Sequence, residues 1–212
     1  MNRKWFRCAI AAIAFVLNSS LGGVVPGINA AQRQEITRLA ELMQWKEGTI
    51  VADVGAGDGS YSFVAAELVG VSGRVYATEI DTAKLTNLRA EAAKRKLDNV
   101  VIVEGAANDT KLPSACCDTI FLRRVYHHLT QPLEFDRNLV RSLKCGAQLA
   151  IIDIPPSPNS EPVEGVPENR GGHGIPEKVV VEELTSAGLQ VEKVIDDWSE
   201  RDYCVIFVKR SP

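Results

Sequence analysis

The segment Val51-Ala52-Asp53-Val54-Gly55-Ala56-Gly57-Asp58-Gly59, followed by Val75-Tyr76-Ala77-Thr78-Glu79, constrains the fold more than any other feature. An apolar run ends in an acid and three alternating glycines, a helical stretch follows, and a second apolar run ends in another acid. Glycines let a backbone turn sharply and approach a ligand where a side chain would collide. An acid closing the next strand can accept hydrogen bonds from a ribose diol in doubly wound nucleotide folds. The pairing therefore predicts a site for an adenosine-bearing ligand.

The rest of the chain alternates in the same way. Ile36, Leu39, Leu42 and Met43 give residues 32–45 the spacing of an amphipathic helix, which Gly48 ends. Strands are predicted over Thr49–Val54, Arg74–Ile80, Val100–Glu104, Asp118–Val125 and Ala147–Ile154, with helices over Tyr61–Val69 and Thr82–Leu97 between them. A further helix opens at Pro132 and runs to Lys144, with Lys144 at its negative end and Gly146 as its C-cap. Residues 155–174 are rich in proline and glycine and read as a long loop. Pro176 and Glu177 open a last helix that Gly188 closes, and Gln190–Ile195 and Tyr203–Lys209 read as an antiparallel hairpin at the sheet edge. Regular β-α alternation predicts an α/β fold: a seven-stranded, mostly parallel sheet with helices on both faces.

Residues 1–30 are a different material. Arg3, Lys4 and Arg7 precede the apolar run Cys8–Leu17, and small residues lead to Ala30. This is the layout of a secretory signal cut after Ala30, leaving residues 31–212 as one domain exported to the periplasm. An uncleaved anchor, or a cytoplasmic enzyme with a misassigned start, is the alternative. The apolar run is shorter than the roughly twenty residues of a membrane span, so no span remains after removal of the signal. Removing residues 1–30 also takes the formal charge from −3 to −6. No basic stripe tracks a phosphate backbone, so a nucleic-acid partner is not expected and a small-molecule substrate is.

Cys116, Cys117, Cys145 and Cys204 lack the spacing of a zinc site, and no metal is expected. In an exported chain a disulfide can form among these four, with its pairing open. The glycine loop reads G-x-G-x-G, with Ser60 where a dinucleotide fingerprint has its third glycine. A pyrophosphate is thus a poor match, and a ligand resting an amino-acid moiety on the loop is a better one.

Asp53–Gly59, Glu79, the strand Asp118–Val125 and the Leu143-Lys144-Cys145-Gly146 turn together resemble the class I S-adenosylmethionine-dependent methyltransferases, over residues 35–210. Tyr126-His127-His128-Leu129 and Gly172-His173-Gly174-Ile175 resemble a group of bacterial methyltransferase-domain proteins, many of which carry export signals. The resemblance implies a Rossmann-like fold, S-adenosylmethionine as cofactor, and in-line methyl transfer to a small acceptor. It implies that Gly55, Ala56, Gly57 and Gly59 line the methionine moiety and that Asp53 orders the loop and the ligand amine. Glu79 would take the ribose hydroxyls, with Ile80 against the adenine. Ala106 stands where the family often has an acid, with Ala107 and Asn108 following, so a backbone amide or Asn108 substitutes at the adenine edge. Leu122 and Arg123 approach the methionine end, and the last strand inserts antiparallel.

His127, His128 and His173 all fall where the carboxyl edge of the sheet is expected, and histidine titrates near neutrality, so these are the candidate general bases. Tyr126 is the aromatic residue placed to stack on a substrate, and the loop with Glu161, Glu164, Glu168 and Arg170 is placed to cover the pocket as a lid. Two rival readings are a nicotinamide-dependent oxidoreductase and a non-catalytic binding protein on the same fold.

Overall fold

The computed structural model describes residues 28–157, 161, 163–170, 172–199 and 201–210; residues 1–27, which hold most of the expected export signal, lie outside this range. The elements run α1 (Ala30–Leu42), β1 (Ile50–Val54), α2 (Ser60–Val69), β2 (Arg74–Glu79), α3 (Thr82–Lys94), β3 (Val100–Glu104) and β4 (Cys117–Arg123). A 3-10 turn (Tyr126–His128), α4 (Pro132–Ser142), β5 (Leu143–Asp153), a second 3-10 turn (Glu168–Arg170), α5 (Glu177–Ser186), β6 (Gln190–Ile195) and β7 (Tyr203–Val208) follow.

The strands form a seven-stranded sheet in the order β3-β2-β1-β4-β5-β7-β6. β1, β2, β3, β4 and β5 pair in parallel, while β7 runs antiparallel to both β5 and β6. Strand order reverses at β1, whose neighbours are β2 on one side and β4 on the other. In open α/β sheets a crevice opens at the carboxyl ends of the strands at such a reversal.

Successive residues of a strand point to opposite faces, and the two cores follow from that. Ala52, Val54, Ile120, Leu122, Leu149 and Ile151 pack with α4 and α5 through Phe135, Leu139, Val180 and Leu184. Val51, Phe121, Ala150 and Ile152 pack on the other face with Ile36 and Leu39 of α1, with Met43 just beyond it, and with Val64 and Ala65 of α2. Central strands covered on both faces are accordingly apolar almost throughout.

Local signals explain most element ends. Asn29 caps α1 and forms a reciprocal capping box with Gln32, so the expected cut after Ala30 falls inside the helix's first turn. Asp81 caps α3 through the N–H groups of Ala83 and Lys84. The end of α4 differs from expectation. The helix stops at Ser142, Leu143 is already extended, and β5 begins there rather than at Ala147. Lys144 instead reaches Asp118 at 2.7 Å, and Asp118 also accepts the Ile50 N–H. The helix-end carbonyls of Val140 and Leu143 accept from Lys209 Nζ at 2.7 and 2.8 Å, a cation supplied by the far end of the chain. Cys116 and Cys117 are joined by a disulfide at the entrance to β4, while Cys204 is buried in β7. Among the described residues no helix is long and apolar enough to cross a membrane.

Candidate functional site

β1 delivers Gly55, Gly57 and Gly59 to the carboxyl edge of the sheet, all with positive φ (78°, 59° and 81°). Gly55 and Gly57 need glycine for different reasons. A Cβ on Gly55 would lie 2.5 Å from the Val125 side chain, whereas one on Gly57 would meet nothing within 4 Å, because Gly57 borders open space. Gly59 precedes α2 and is packed beneath Phe63 and Leu88.

β2 ends in Glu79, which is 6% exposed. Its Oε2 accepts the Gly57 N–H at 3.0 Å, and its Oε1 accepts the N–H groups of Ile80 at 2.8 Å and Asp81 at 3.1 Å. The carboxylate therefore points at the glycine bend. Beside them opens a cavity of about 590 Å³, lined by Gly55, Gly57, Glu79, Ile80, Gly105, Ala106, Ala107, Arg123, Arg124, Val125, His128, Leu129 and Phe135 among others. Ile80 is 61% exposed at its rim. The volume lies within the range of small-molecule sites, roughly 300–1,000 Å³.

Eight of the sequence-predicted residues thus meet at one cavity: Gly55, Gly57, Glu79, Ile80, Ala106, Ala107, Arg123 and His128. Asp53, Ala56, Asn108 and Leu122 do not line it. Asp53 is buried and accepts the Ser62 hydroxyl at 2.6 Å. Burial, with Glu79 and Asp58 nearby, pushes its carboxyl up to about 7. Ala56 and Leu122 are core residues, and the Asn108 carbonyl is held by Asn138.

Arg123 closes one side. Its Nε donates to both oxygens of Glu35, at 2.9 and 3.1 Å, and Glu35 also accepts from Tyr61 and from Trp198 Nε1. Burial alone would raise the Glu35 pKa, but hydrogen bonds from Arg123, Tyr61 and Trp198 outweigh it and hold the carboxyl below its usual value. Arg124, in a left-handed conformation at φ 53°, donates twice to Asp202 Oδ1 at 3.0 and 2.8 Å. α1 and the segment preceding β7 are thereby tied to the cavity wall.

The three histidines gather at the Tyr126–His128 turn. The His127 and His128 ring centroids are 3.9 Å apart, and His173 lies 6.2 and 5.9 Å from them. His127 is buried, and its Nδ1 is 2.7 Å from Asp153 Oδ1. Burial lowers the His128 pKa, with His127 and His173 adding to the effect against the opposing charge of Asp153. Among the described residues no group of His, Cys, Asp and Glu is arranged to hold a metal ion.

Two expected roles do not survive. Tyr126 is fully buried rather than facing a substrate; its hydroxyl sits between Asp136 at 3.0 Å and Glu183 at 2.9 Å. Arg170 is fully buried too: it pairs with Glu183 and donates to the Tyr126 carbonyl at 2.6 Å. It pins the loop beneath the Tyr126–His128 turn instead of covering the cavity. Burial, with Glu183 nearby, pushes the Asp136 carboxyl up to about 7. Sequence reasoning missed Asp153, Asp202 and Glu35. Only Asp153, an acid ending an apolar strand, carried the signal that marked Glu79.

A sequence profile of a methyltransferase domain matches residues 45–193. A demethylmenaquinone methyltransferase of Listeria monocytogenes is 29% identical over 113 residues, which is 53% of this chain and 48% of that protein. The chain spans about half the length of the curated relatives it matches first. The structure of a SAM dependent methyltransferase from Aquifex aeolicus superposes with a TM-score of 0.71 at 28% identity, covering 87% of this chain and 96% of that one. An Aeropyrum pernix fibrillarin with natively bound S-adenosyl-L-methionine shares the fold at a TM-score of 0.59 and 18% identity, over 84% of this chain and 76% of that one.

Proposed function

The chain belongs to the methyltransferase-domain family, and from that premise we propose that it moves a methyl group from S-adenosylmethionine to a small-molecule acceptor held in the Glu79–His128 cavity. The observation that carries this reading is the facing pair of a buried Glu79 carboxylate and a bare Gly57 backbone with open space beyond it. A ligand backed by a side chain at position 57 would have nowhere to lie; with glycine there the residues fit the cofactor.

Glu79 would accept a ribose hydroxyl at the one position on Oε2 that its three N–H donors leave unused. Ile80 would cover one face of the adenine, with Ala106 and Ala107 at its edge. Gly55 and Gly57 would line the methionine end, and Arg123, steadied by Glu35, would border it. Asp53 would act from behind by holding the loop through Ser62. When bound, S-adenosylmethionine supplies a methyl carbon on a sulfonium, open to in-line displacement. The protein's part is to orient the acceptor and exclude water, and positioning of this kind can remove about 7–11 kcal/mol of a barrier.

Val125, Leu129 and Phe135 make the acceptor end apolar, and the likeness to a demethylmenaquinone methyltransferase supports a small organic acceptor. The basic start, apolar run and small residues of residues 1–30 support export of the domain to the periplasm with removal of that segment.

Titration calorimetry with S-adenosylmethionine, S-adenosylhomocysteine and a nicotinamide dinucleotide tests the cofactor. Binding of the first two alone is expected, and tight dinucleotide binding without them overturns the reading. Incubation with methyl-labelled S-adenosylmethionine and a metabolite extract then tests transfer.

A further inference from the structure

Asp153 ends β5 with no exposed surface and touches His127 twice. Its Oδ2 accepts the His127 backbone N–H at 3.1 Å, and its Oδ1 accepts the Ile154 N–H at 2.8 Å. Both oxygens are thus occupied by backbone donors. The remaining contact, 2.7 Å to His127 Nδ1, is satisfied when that nitrogen carries the hydrogen. The ring of His127 is then fixed in orientation and tautomer, as in other sites where a buried carboxylate aligns an imidazole. Its neighbour His128 lies with ring centroids 3.9 Å away and lines the cavity.

We propose that Asp153, His127 and His128 form a proton-accepting unit for an acceptor bearing an O–H group, with His128 touching the acceptor and Asp153 and His127 as positioning residues. This rests on the methyltransferase reading above. The hydrogen of the acceptor hydroxyl passes to an unprotonated ring nitrogen of His128. The electron pair of the broken O–H bond stays on the acceptor oxygen, which becomes the nucleophile. His128 becomes an imidazolium and afterwards releases its proton to water.

Each member of the unit has a distinct task. The groups facing His128 are His127 on the same turn, Asp153 at the end of β5 and His173 before α5. His127, held still by Asp153, disfavours a resting charge on His128 and so keeps it ready to accept. Asp153 compensates the positive charge that appears when the hydrogen arrives, because opposite charges at short range favour the charged form. The apolar end formed by Val125, Leu129 and Phe135 selects hydroxyls on an apolar framework, such as a phenol or an enol. Their oxygens are largely protonated at neutral pH and need a base.

Histidine-selective NMR titration of the full chain tests this without any acceptor. In the wild type His127 keeps its hydrogen on Nδ1, and His128 titrates below the ordinary histidine value. His127→Gln is expected to raise the His128 midpoint, and Asp153→Asn to lower it, each by about half a pH unit or more. The proposal is overturned by a His128 midpoint unchanged in His127→Gln, or by a His127 hydrogen on Nε2. Should Asp153→Asn fail to fold, as its amide dispersion would reveal, His127→Gln decides alone. S-adenosylhomocysteine calorimetry on the same samples separates the two readings. Absent binding with the expected histidine shifts sinks the methyltransferase reading, while normal binding with unmoved midpoints sinks only the proton unit.

Discussion

Single residues carry the sharpest consequences. Gly57 combines φ 59° with empty space beyond its Cα, so Gly57→Val would strain the backbone and fill the cavity together. Loss of S-adenosylhomocysteine binding in calorimetry is expected, with the fold retained by circular dichroism; an unchanged affinity would remove the loop from the site. His128→Ala is expected to cut turnover by about a hundredfold or more while sparing cofactor affinity, the usual size of a general-base contribution. Asp53 and Asp136 are both pushed up to about 7 by burial. Each takes up a proton more readily folded than unfolded. Their contribution to stability is therefore greatest below the unfolded value near pH 4 and declines as pH rises from there through 7. Asp136→Asn should flatten this decline in thermal unfolding measured from pH 5 to 8, its amide oxygen still accepting from Tyr126; an unaltered slope would show that the carboxyl does not titrate in that window.

At the scale of elements, the strands and helices that build the cavity were legible because hydrophobic period, caps and glycines agree there. Asp81 before α3, Pro132 in α4 and the run into Glu79 each say locally what the fold does. The end of α4 was illegible for a physical reason. Its carbonyls are satisfied by Lys209, and the cation nearer in sequence, Lys144, is drawn away by Asp118. The same holds for the loop after β5, where composition cannot distinguish a lid from a strap pinned by a buried guanidinium. Arg170→Met would leave Glu183 without its cation and the Tyr126 carbonyl without a donor. Breaking a buried pair costs about 3–5 kcal/mol, so a clear fall in the denaturant midpoint is expected. A midpoint within error of wild type would show that the loop is not held there.

For the whole molecule, the family architecture was readable from the order of motifs, down to a last strand inserted antiparallel beside β5. The cavity was readable along its glycine-loop and Glu79 side, where each residue sits at or just past the end of a strand with a recognisable pattern. The opposite wall is assembled by partners far apart in sequence: Glu35 with Arg123, Asp202 with Arg124, and Asp153 with His127. Nothing local marks such pairs. Ligand linkage offers a global check. A ligand at a hundred times its dissociation constant stabilises the folded state by about 2.7 kcal/mol, so S-adenosylhomocysteine should raise the melting temperature and a nicotinamide dinucleotide should not. Asp202, which clamps Arg124 and lies near Arg123, immediately precedes β7, the strand wedged between β5 and β6. Ribosomal synthesis delivers that aspartate later than Glu35, the two arginines, His127 and Asp153, the other members of this wall. A half-threaded polypeptide would therefore have a gap where its arginines should be braced, and cargo would be captured only once that aspartate and its strand are seated.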